Sequence, residues 1–158
     1  MRRSDREIKD FDKMINILSS CDCIRLGLVD EGMAYIVPLN FGFTIDKDKK
    51  DLRIYIHSAK EGKKIQLLKS QNKVSFEADT NHKISQGKTA CQYSYFYQSV
   101  MGKASVEFLQ DESSKISALN SILSHYTNKN DWAFDKNALS KTDLICLHVL
   151  EWSCKEHV

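Results

Sequence analysis

Residues 34–43, with the sequence AYIVPLNFGF, constrain the fold of this chain more than any other segment. Both alternating sets of side chains are apolar, so a strand formed here needs cover on two faces. The two sets are Tyr35, Val37, Leu39, Phe41 and Phe43 on one side, and Ala34, Ile36 and Pro38 on the other. Pro38 cannot donate a hydrogen bond to a neighbouring strand. We therefore expect one face to meet the core of its own chain and the other to meet a ligand or a partner.

Alternating apolar residues predict several further strands. They lie at residues 24–28, 52–56, 74–78, 100–108 and 144–150, and a turn at residues 30–32 (DEG) joins the first of them to residues 34–43. On the strand at residues 52–56, Leu52, Ile54 and Ile56 face the core, so His57 lies on the opposite face. Many short antiparallel strands with helices outside them are typical of a small, partly open barrel. The sequence thus predicts a mainly β fold in a single domain, residues 1–158.

Helical spacing of apolar residues predicts three helices around this barrel. Asp10 is positioned to cap the first helix, a short second helix carries Ile65 and Leu68, and a third spans residues 111–126. The apolar stripe expected on the third helix comprises Ile116, Leu119, Ile122, Leu123 and Tyr126.

The composition excludes several classes of protein. The 158 residues suit one domain, and a net charge of +2 is too small to argue for nucleic acid. No apolar run approaches the ~20 residues of a membrane span, and the opening MRRSDREIKD lacks an apolar signal core. Five cysteines without a secretory signal favour reduced thiols, so we expect a cytoplasmic protein without disulfides or membrane contact. Cys21 and Cys23 lack a matching second pair, and we expect no metal site.

Residues 57–64, HSAKEGKK, carry the sharpest chemical signal in the sequence. A strand ends at His57 and Ser58, a loop with a glycine follows, and Lys63 and Lys64 open a helix. Unpaired N–H groups give a helix N-terminus a partial positive charge that favours a phosphate. The two lysines and the Ser58 hydroxyl can each add a charge-assisted hydrogen bond of ~1.5–3 kcal/mol. The segment is compatible with an anion site and with a solvated basic turn, and it does not name the anion.

Six collinear segments resemble the flavin-binding split barrels related to pyridoxamine phosphate oxidase, specifically the nitroimidazole-resistance branch. They are MRRSDREI (1–8), RLGLVDEGMAYIVPLNFGF (25–43), YIHSAKEGKKIQLL (55–68), YQSVMGKA (97–104), HYT (125–127) and EWS (151–153). The resemblance covers nearly the whole chain. It implies a six-stranded antiparallel split barrel that forms a homodimer, with one flavin mononucleotide (FMN) in each of two grooves between the subunits.

The resemblance also implies which residues hold the cofactor. The backbone around Val37, Pro38, Leu39 and Asn40 would lie along the isoalloxazine ring, and His57 and Ser58 would touch the flavin at a strand end. Lys63 and Lys64 would hold the phosphate. Gln98 and Ser99 would close the site, and Trp152 would cover it, from the partner subunit.

The implied activity is FMN-dependent reduction of a small nitro compound such as a nitroimidazole, with a nicotinamide or another reductant as electron donor. His57 is the candidate proton donor, because imidazole titrates near neutral pH. The chain ends WSCKEHV and lacks the arginine-bearing segment of pyridoxamine phosphate oxidase proper, which argues against that activity. Cys154 replaces a glycine found in many members of the branch.

Alternative roles remain for several of these residues. His57 can be an exposed strand end, Gln98 can satisfy an edge strand, and Trp152 can be a core or dimer anchor. The same barrel also serves proteins that bind haem or a deazaflavin, so a non-catalytic flavin or haem sensor is a second hypothesis. A nucleic-acid-binding barrel is disfavoured, because the sequence lacks a long basic pattern.

Overall fold

The computed structural model describes residues 3–127 and 129–158. The strands are β1 (Glu7–Ile8), β2 (Ile24–Asp30), β3 (Met33–Leu39), β4 (Gly42–Asp46), β5 (Asp51–Ala59), β6 (Lys73–Ser85), β7 (Ser94–Phe108) and β8 (Thr142–His157). The helices are α1 (Phe11–Ser19), α2 (Lys63–Ser70), α3 (Glu112–Thr127) and α4 (Lys136–Ser140). None of the helices in these two ranges is both long and apolar enough to cross a bilayer.

All described strand pairs are antiparallel and belong to one curved sheet in the order β3-β2-β6-β7-β8-β5-β4, with β1 paired to β8. The prediction of a mainly β fold with peripheral helices is confirmed. The described part of the chain has eight strands rather than six, partly because β1 adds two residues beside β8.

The second extra strand arises within residues 34–43, where the prediction of one continuous strand is wrong. The chain leaves β3 after Leu39 and enters β4 at Gly42. Between them, Phe41 is fully buried, and its backbone N–H donates to the hydroxyl of Tyr126 at 3.1 Å instead of to a strand. A long-range contact with α3 therefore interrupts a segment whose local pattern is continuous.

The hairpin that precedes this break is confirmed. Asp30 and Met33 close it as register partners, and the two residues between them, Glu31 and Gly32, have positive φ angles of 50° and 83°. Positive φ at both turn positions produces the backbone twist that two-residue hairpins prefer.

The barrel core lies inside the curved sheet and is closed at one end by α1. Asp10 caps this helix by accepting a hydrogen bond from the backbone N–H of Lys13 at 2.7 Å. The predicted inward residues of β5 and β6 are buried, and so are the α1 residues that meet them. These core residues are Met14, Ile17, Leu18, Leu52, Ile54, Ile56, Val74, Phe76 and Ala78.

Helix α3 lies on the outside of the sheet, against β4, β5 and β8. Its predicted apolar stripe is therefore only partly buried: Ile122 is 3% exposed, whereas Tyr126 is 39% exposed. Helix and sheet approach closely at Gly42, where a Cβ atom would lie 2.4 Å from the backbone of Ser121. The last strand also runs seven residues past the predicted end at residue 150, because β7 pairs with it along that whole length.

Candidate functional site

A groove with a volume of about 610 Å³ opens where the sheet splits between β3 and β5. The pairing of β4 with β5 ends at Gly42 and Tyr55, so the last residues of β5 extend beyond β4. The end of β3 and the start of α2 form the other walls. The groove is lined by Cys23, Pro38, Leu39, Asn40, His57, Ser58, Ala59 and Lys64.

The structure thus brings together six of the residues predicted from the sequence, namely Pro38, Leu39, Asn40, His57, Ser58 and Lys64. Pro38 lies on β3, a terminal strand of the sheet, where a residue without an N–H is tolerated. Val37 packs against the barrel core and does not line the groove.

The N-terminus of α2 faces this groove and contributes a positive electrostatic potential. Gly62 precedes the helix with φ of 111°, a conformation that favours glycine. No described side chain caps the helix, and its first turn carries no acidic residue. Ile65 and Gln66 donate their N–H groups to the Gly62 carbonyl, which leaves the N–H groups of Lys63 and Lys64 for an anion, and the macrodipole favours one.

Lys64 supplies a full positive charge beside these N–H groups. Its side chain is half-buried among the groove residues, and this burial lowers the pKa of its ammonium group. A buried cation with too few partners gains from a negatively charged ligand. A phosphate group therefore fits this end of the groove.

Lys63 lies outside the groove although it is adjacent in sequence. Its ammonium group pairs with Asp30 at the end of β2 and lies 5.6 Å from the centre of the Tyr35 ring. Consecutive helical residues point about 100° apart, and here one lysine faces the groove while its neighbour faces the hairpin of β2 and β3. The prediction treated them as equivalent, and the structure separates them.

His57 projects from the outer face of β5, opposite Leu52, Ile54 and Ile56, as predicted. Burial by the groove walls lowers the pKa of the imidazole, and the positive charge of Lys64 lowers it further. The ring is therefore mainly neutral at pH 7 and can donate or accept a hydrogen bond. An anion bound to Lys64 would remove the second cause and move the pKa back towards its usual value.

Gln98, Ser99 and Trp152 do not line the groove of their own chain. The side chain of Gln98 is engaged by Asn81 at 2.5 Å and by Glu156 at 3.1 Å. The ring of Trp152 packs edge-on against Phe11, with centroids 5.9 Å apart.

Cys23 lines the groove, and the sequence interpretation missed it. The sequence pattern presents its thiol only as half of a C-x-C pair with Cys21. The position of Cys23 in the sequence could have identified it as a groove residue. Cys23 directly precedes the buried Ile24 at the start of β2, and Ile24 pairs with Leu39 at the end of β3.

A second surface feature is the outer face of β2, β3, β6, β7 and β8, which we call the outer sheet face. Its exposed apolar residues are Val29 (60%), Ile36 (57%), Met101 (52%) and Leu150 (56%). Arg25 pairs with Glu77 at 3.0 Å and with Asp79 at 2.7 Å at one side of this patch. All four side chains are more than half exposed, so this patch faces solvent.

Comparisons with known proteins agree with this architecture. Residues 10–156 match the family model for pyridoxamine 5'-phosphate oxidase. The structure of a candidate 5-nitroimidazole antibiotic resistance protein from Bacteroides thetaiotaomicron is 31% identical, with a TM-score of 0.82 over 95% of this chain and 86% of that one. No curated protein sequence matches the chain.

Two more distant structures share the fold. The flavocytochrome Anf3 from Azotobacter vinelandii is 19% identical, with a TM-score of 0.79 over 100% of this chain and 72% of that one. An FAD and haem binding protein from Mycobacterium smegmatis is 15% identical, with a TM-score of 0.81 over 96% and 73%.

Proposed function

The chain belongs to the pyridoxamine 5'-phosphate oxidase family, and from this premise we propose that it is an FMN-dependent oxidoreductase that reduces small nitro compounds. The observation that carries the proposal is the groove itself. It joins an uncapped helix N-terminus and the half-buried Lys64 at one end to Pro38, Leu39 and Asn40 at the other. A phosphate at the first end and a flat apolar ring at the second match the two parts of FMN.

FMN is favoured over the larger FAD and over haem. Lys64 and the first turn of α2 suit a single terminal phosphate, and the next cation on the helix, Lys63, is paired with Asp30 outside the groove rather than placed for a second phosphate. Haem could take His57 or Cys23 as its axial ligand, but it has no phosphate for the uncapped start of α2. Bound FMN would supply hydride or single-electron transfer from its N5 edge, and the protein would supply orientation and charge.

We further propose that the functional unit is a homodimer formed through the outer sheet face. Four large apolar residues that are more than half exposed form a patch that a monomer rarely leaves in water. The strand that ends in the groove, β3, presents Ile36 and Pro38 on this same face. A partner packed here would reach the groove and bring Ser99, which shares this face with Met101, to its wall. Gln98 and Trp152 lie on the opposite, core-facing side of β7 and β8, so they would not take part in this contact.

His57 would supply a proton to the substrate during reduction. Reduction of a nitro group releases its oxygen as water, and this step consumes protons as well as electrons. His57 lies beside Lys64 at the groove wall, where a neutral imidazole can donate one hydrogen bond to a substrate oxygen. A phosphate on Lys64 would raise the pKa of His57 and so increase its imidazolium fraction at neutral pH. A nicotinamide or another small reductant is the expected electron donor.

The decisive experiment on the cofactor is mass spectrometry of the ligand released by denaturing the purified protein, with an absorption spectrum beforehand. We expect the mass of FMN and a two-band yellow spectrum. Release of FAD or haem, or a haem Soret band, would overturn the assignment of FMN. Turnover of the FMN-loaded protein with a nicotinamide donor and a nitroimidazole would then separate an enzyme from a non-catalytic flavin carrier.

The role of His57 is tested by stopped-flow oxidation of the pre-reduced protein at saturating nitroimidazole. His57→Ala should retain FMN and slow the reaction per bound flavin by ~10²–10⁴-fold, the usual scale for proton transfer by a positioned side chain. His82→Ala is the matched control, because His82 pairs with Asp79 outside the groove. Equal rates in His57→Ala and the native protein would remove His57 from the mechanism.

A further inference from the structure

A cluster of three metal-ligating side chains lies on the outside of the sheet, and none of them lines the groove. Cys146 and His148 are two residues apart on β8, so their side chains share one face. Glu107 on β7 is the register partner of Cys146. The thiol, imidazole and carboxylate donor atoms all lie within 4.8 Å of one another.

We propose that this cluster is a zinc site in which Cys146, His148 and Glu107 are the ligands and a fourth position is open to water. Sulfur, imidazole nitrogen and carboxylate oxygen are the three donor types that zinc uses in proteins. With bond lengths of ~2.0–2.3 Å, tetrahedral donors lie about 3.4–3.6 Å apart. The donor atoms are at most 4.8 Å apart, so side-chain rotations could bring them to that spacing while strand pairing keeps the backbones in place.

The burial of the three ligands suits a metal that enters from solvent. Cys146 is 2% exposed and forms the floor, His148 is half-buried, and Glu107 is exposed at the rim. The solvent-exposed side of the cluster, at Glu107, is therefore open for the metal to enter and for a water molecule to bind as the fourth ligand. Both β7 and β8 are long paired strands, so the donors are carried on rigid elements.

The charges also balance. One thiolate and one carboxylate neutralise a divalent cation, and His148 binds as a neutral imidazole. Arg53 of β5, the register partner of His148, brings a further positive charge close to the cluster. Its guanidinium is already paired with Asp51 at 3.0 Å, so it adds little repulsion.

Without a metal, the same residues form a simpler arrangement. His148 Nε2 lies 2.5 Å from a Glu107 carboxylate oxygen, as a hydrogen bond or ion pair. Burial raises the pKa of the Cys146 thiol to about 11, so the thiol stays protonated at neutral pH. A bound zinc ion would increase the distance between His148 Nε2 and the Glu107 oxygen by about 1 Å, to the spacing of tetrahedral donors. It would also displace the proton of the Cys146 thiol, because metals bind the thiolate.

The test is titration of the untagged, flavin-loaded protein with Co²⁺, followed by displacement with Zn²⁺. We expect one equivalent of Co²⁺ to give ligand-field bands in the red, beyond flavin absorption, with the intensity of a tetrahedral ion. Zn²⁺ should abolish these bands, and a chelator competition then gives its affinity. Bands typical of an octahedral aquo ion, or no saturation at one equivalent, would overturn the proposal.

Variants locate the site. Cys146→Ser and His148→Asn should each weaken Zn²⁺ binding by more than ~100-fold, because even outer-shell partners of a metal are worth 10–100-fold. Cys91→Ser is the matched control, since Cys91 is an exposed free thiol outside the cluster. Glu107→Gln, at an exposed position, keeps the test valid if Cys146→Ser fails to fold. Unchanged affinity in both His148→Asn and Glu107→Gln would place any bound metal elsewhere.

Discussion

The ammonium group of Lys63 is paired with Asp30 at the turn between β2 and β3, while its sequence neighbour Lys64 faces the groove. Two adjacent and chemically identical residues therefore have different environments. Lys63 fastens the start of α2 to a hairpin, and Lys64 adds charge where the helix N-terminus is uncapped. This separation makes the phosphate proposal testable one residue at a time.

We expect Lys64→Ala to weaken FMN binding by ~10–100-fold, because it removes one charge-assisted hydrogen bond to phosphate. Lys63→Ala should weaken it by less than about 3-fold, since the energy of an exposed ion pair is small. Riboflavin, which lacks the phosphate, should bind the native protein and both variants equally. Fluorescence quenching of the flavin measures all these affinities. An equal loss in the two variants would contradict the separation of the lysines.

We expect Ile36→Glu to convert a dimer into a monomer that loses its flavin. The substitution places a charge in the apolar patch of the outer sheet face, where an unpaired carboxylate is costly to bury. Sedimentation at micromolar concentration should give about twice the chain mass of 18.2 kDa for the native protein and one chain mass for the variant. Val158→Glu, at a residue 77% exposed beyond β8, is the control and should remain dimeric. A native monomer that holds FMN would refute the shared-groove proposal.

The pKa of His57 should lie below the ~6.5 of free imidazole in the flavin-free protein. Lys64→Met should raise it, because the charge of Lys64 is one of the two causes of the shift. FMN or inorganic phosphate bound to native protein should raise it for the same reason. Lys60→Met, which removes an exposed lysine outside the groove, should leave it unchanged. NMR titration of the imidazole ring measures each value, and a pKa insensitive to Lys64→Met would exclude the coupling.

The same shift predicts how pH affects stability. Because the folded-state pKa is depressed, the unfolded chain binds more protons at pH values between the two pKa values. The stability that neutral His57 contributes is therefore fully present above ~6.5 and is lost as pH falls from there through the lower folded-state pKa. His57→Gln should remove this part of the pH dependence in urea unfolding of the flavin-free protein. An identical pH dependence in native and variant proteins would contradict the depressed pKa.

Gly42→Ala should destabilise the fold by about 1–3 kcal/mol, the usual cost of overpacking. Its Cβ would lie 2.4 Å from backbone atoms of Ser121 and Ile122, which cannot move without displacing α3. Gly27→Ala is the control, because the nearest atoms to its Cβ would be 3.7–3.8 Å away. Urea unfolding at fixed protein concentration measures both. Equal urea midpoints for Gly42→Ala and Gly27→Ala would show that α3 can shift away from residue 42 without loss of stability.

Much of the fold was predictable, because strand and helix periodicity depend on local sequence. Leu52, Ile54 and Ile56 alternate in the sequence and are buried in the structure, and Asp10 caps the helix that it precedes. The hairpin at Glu31 and Gly32 was likewise predictable from turn chemistry alone. The prediction failed where a distant residue intervened, as when the hydroxyl of Tyr126 took the N–H of Phe41 and ended β3 early.

The sequence by itself determined a mainly β chain with an anion-favouring segment at residues 57–64, since these properties follow from periodicity and residue chemistry. Only the tertiary structure decided which side chains share a groove. It placed Lys64 and Cys23 beside His57 and turned Lys63 towards Asp30. It also brought Glu107 next to Cys146 and His148, a set that no spacing in the sequence predicts. The physical reason is that strand register and helix rotation, which set these neighbours, are fixed by packing between segments far apart in the chain.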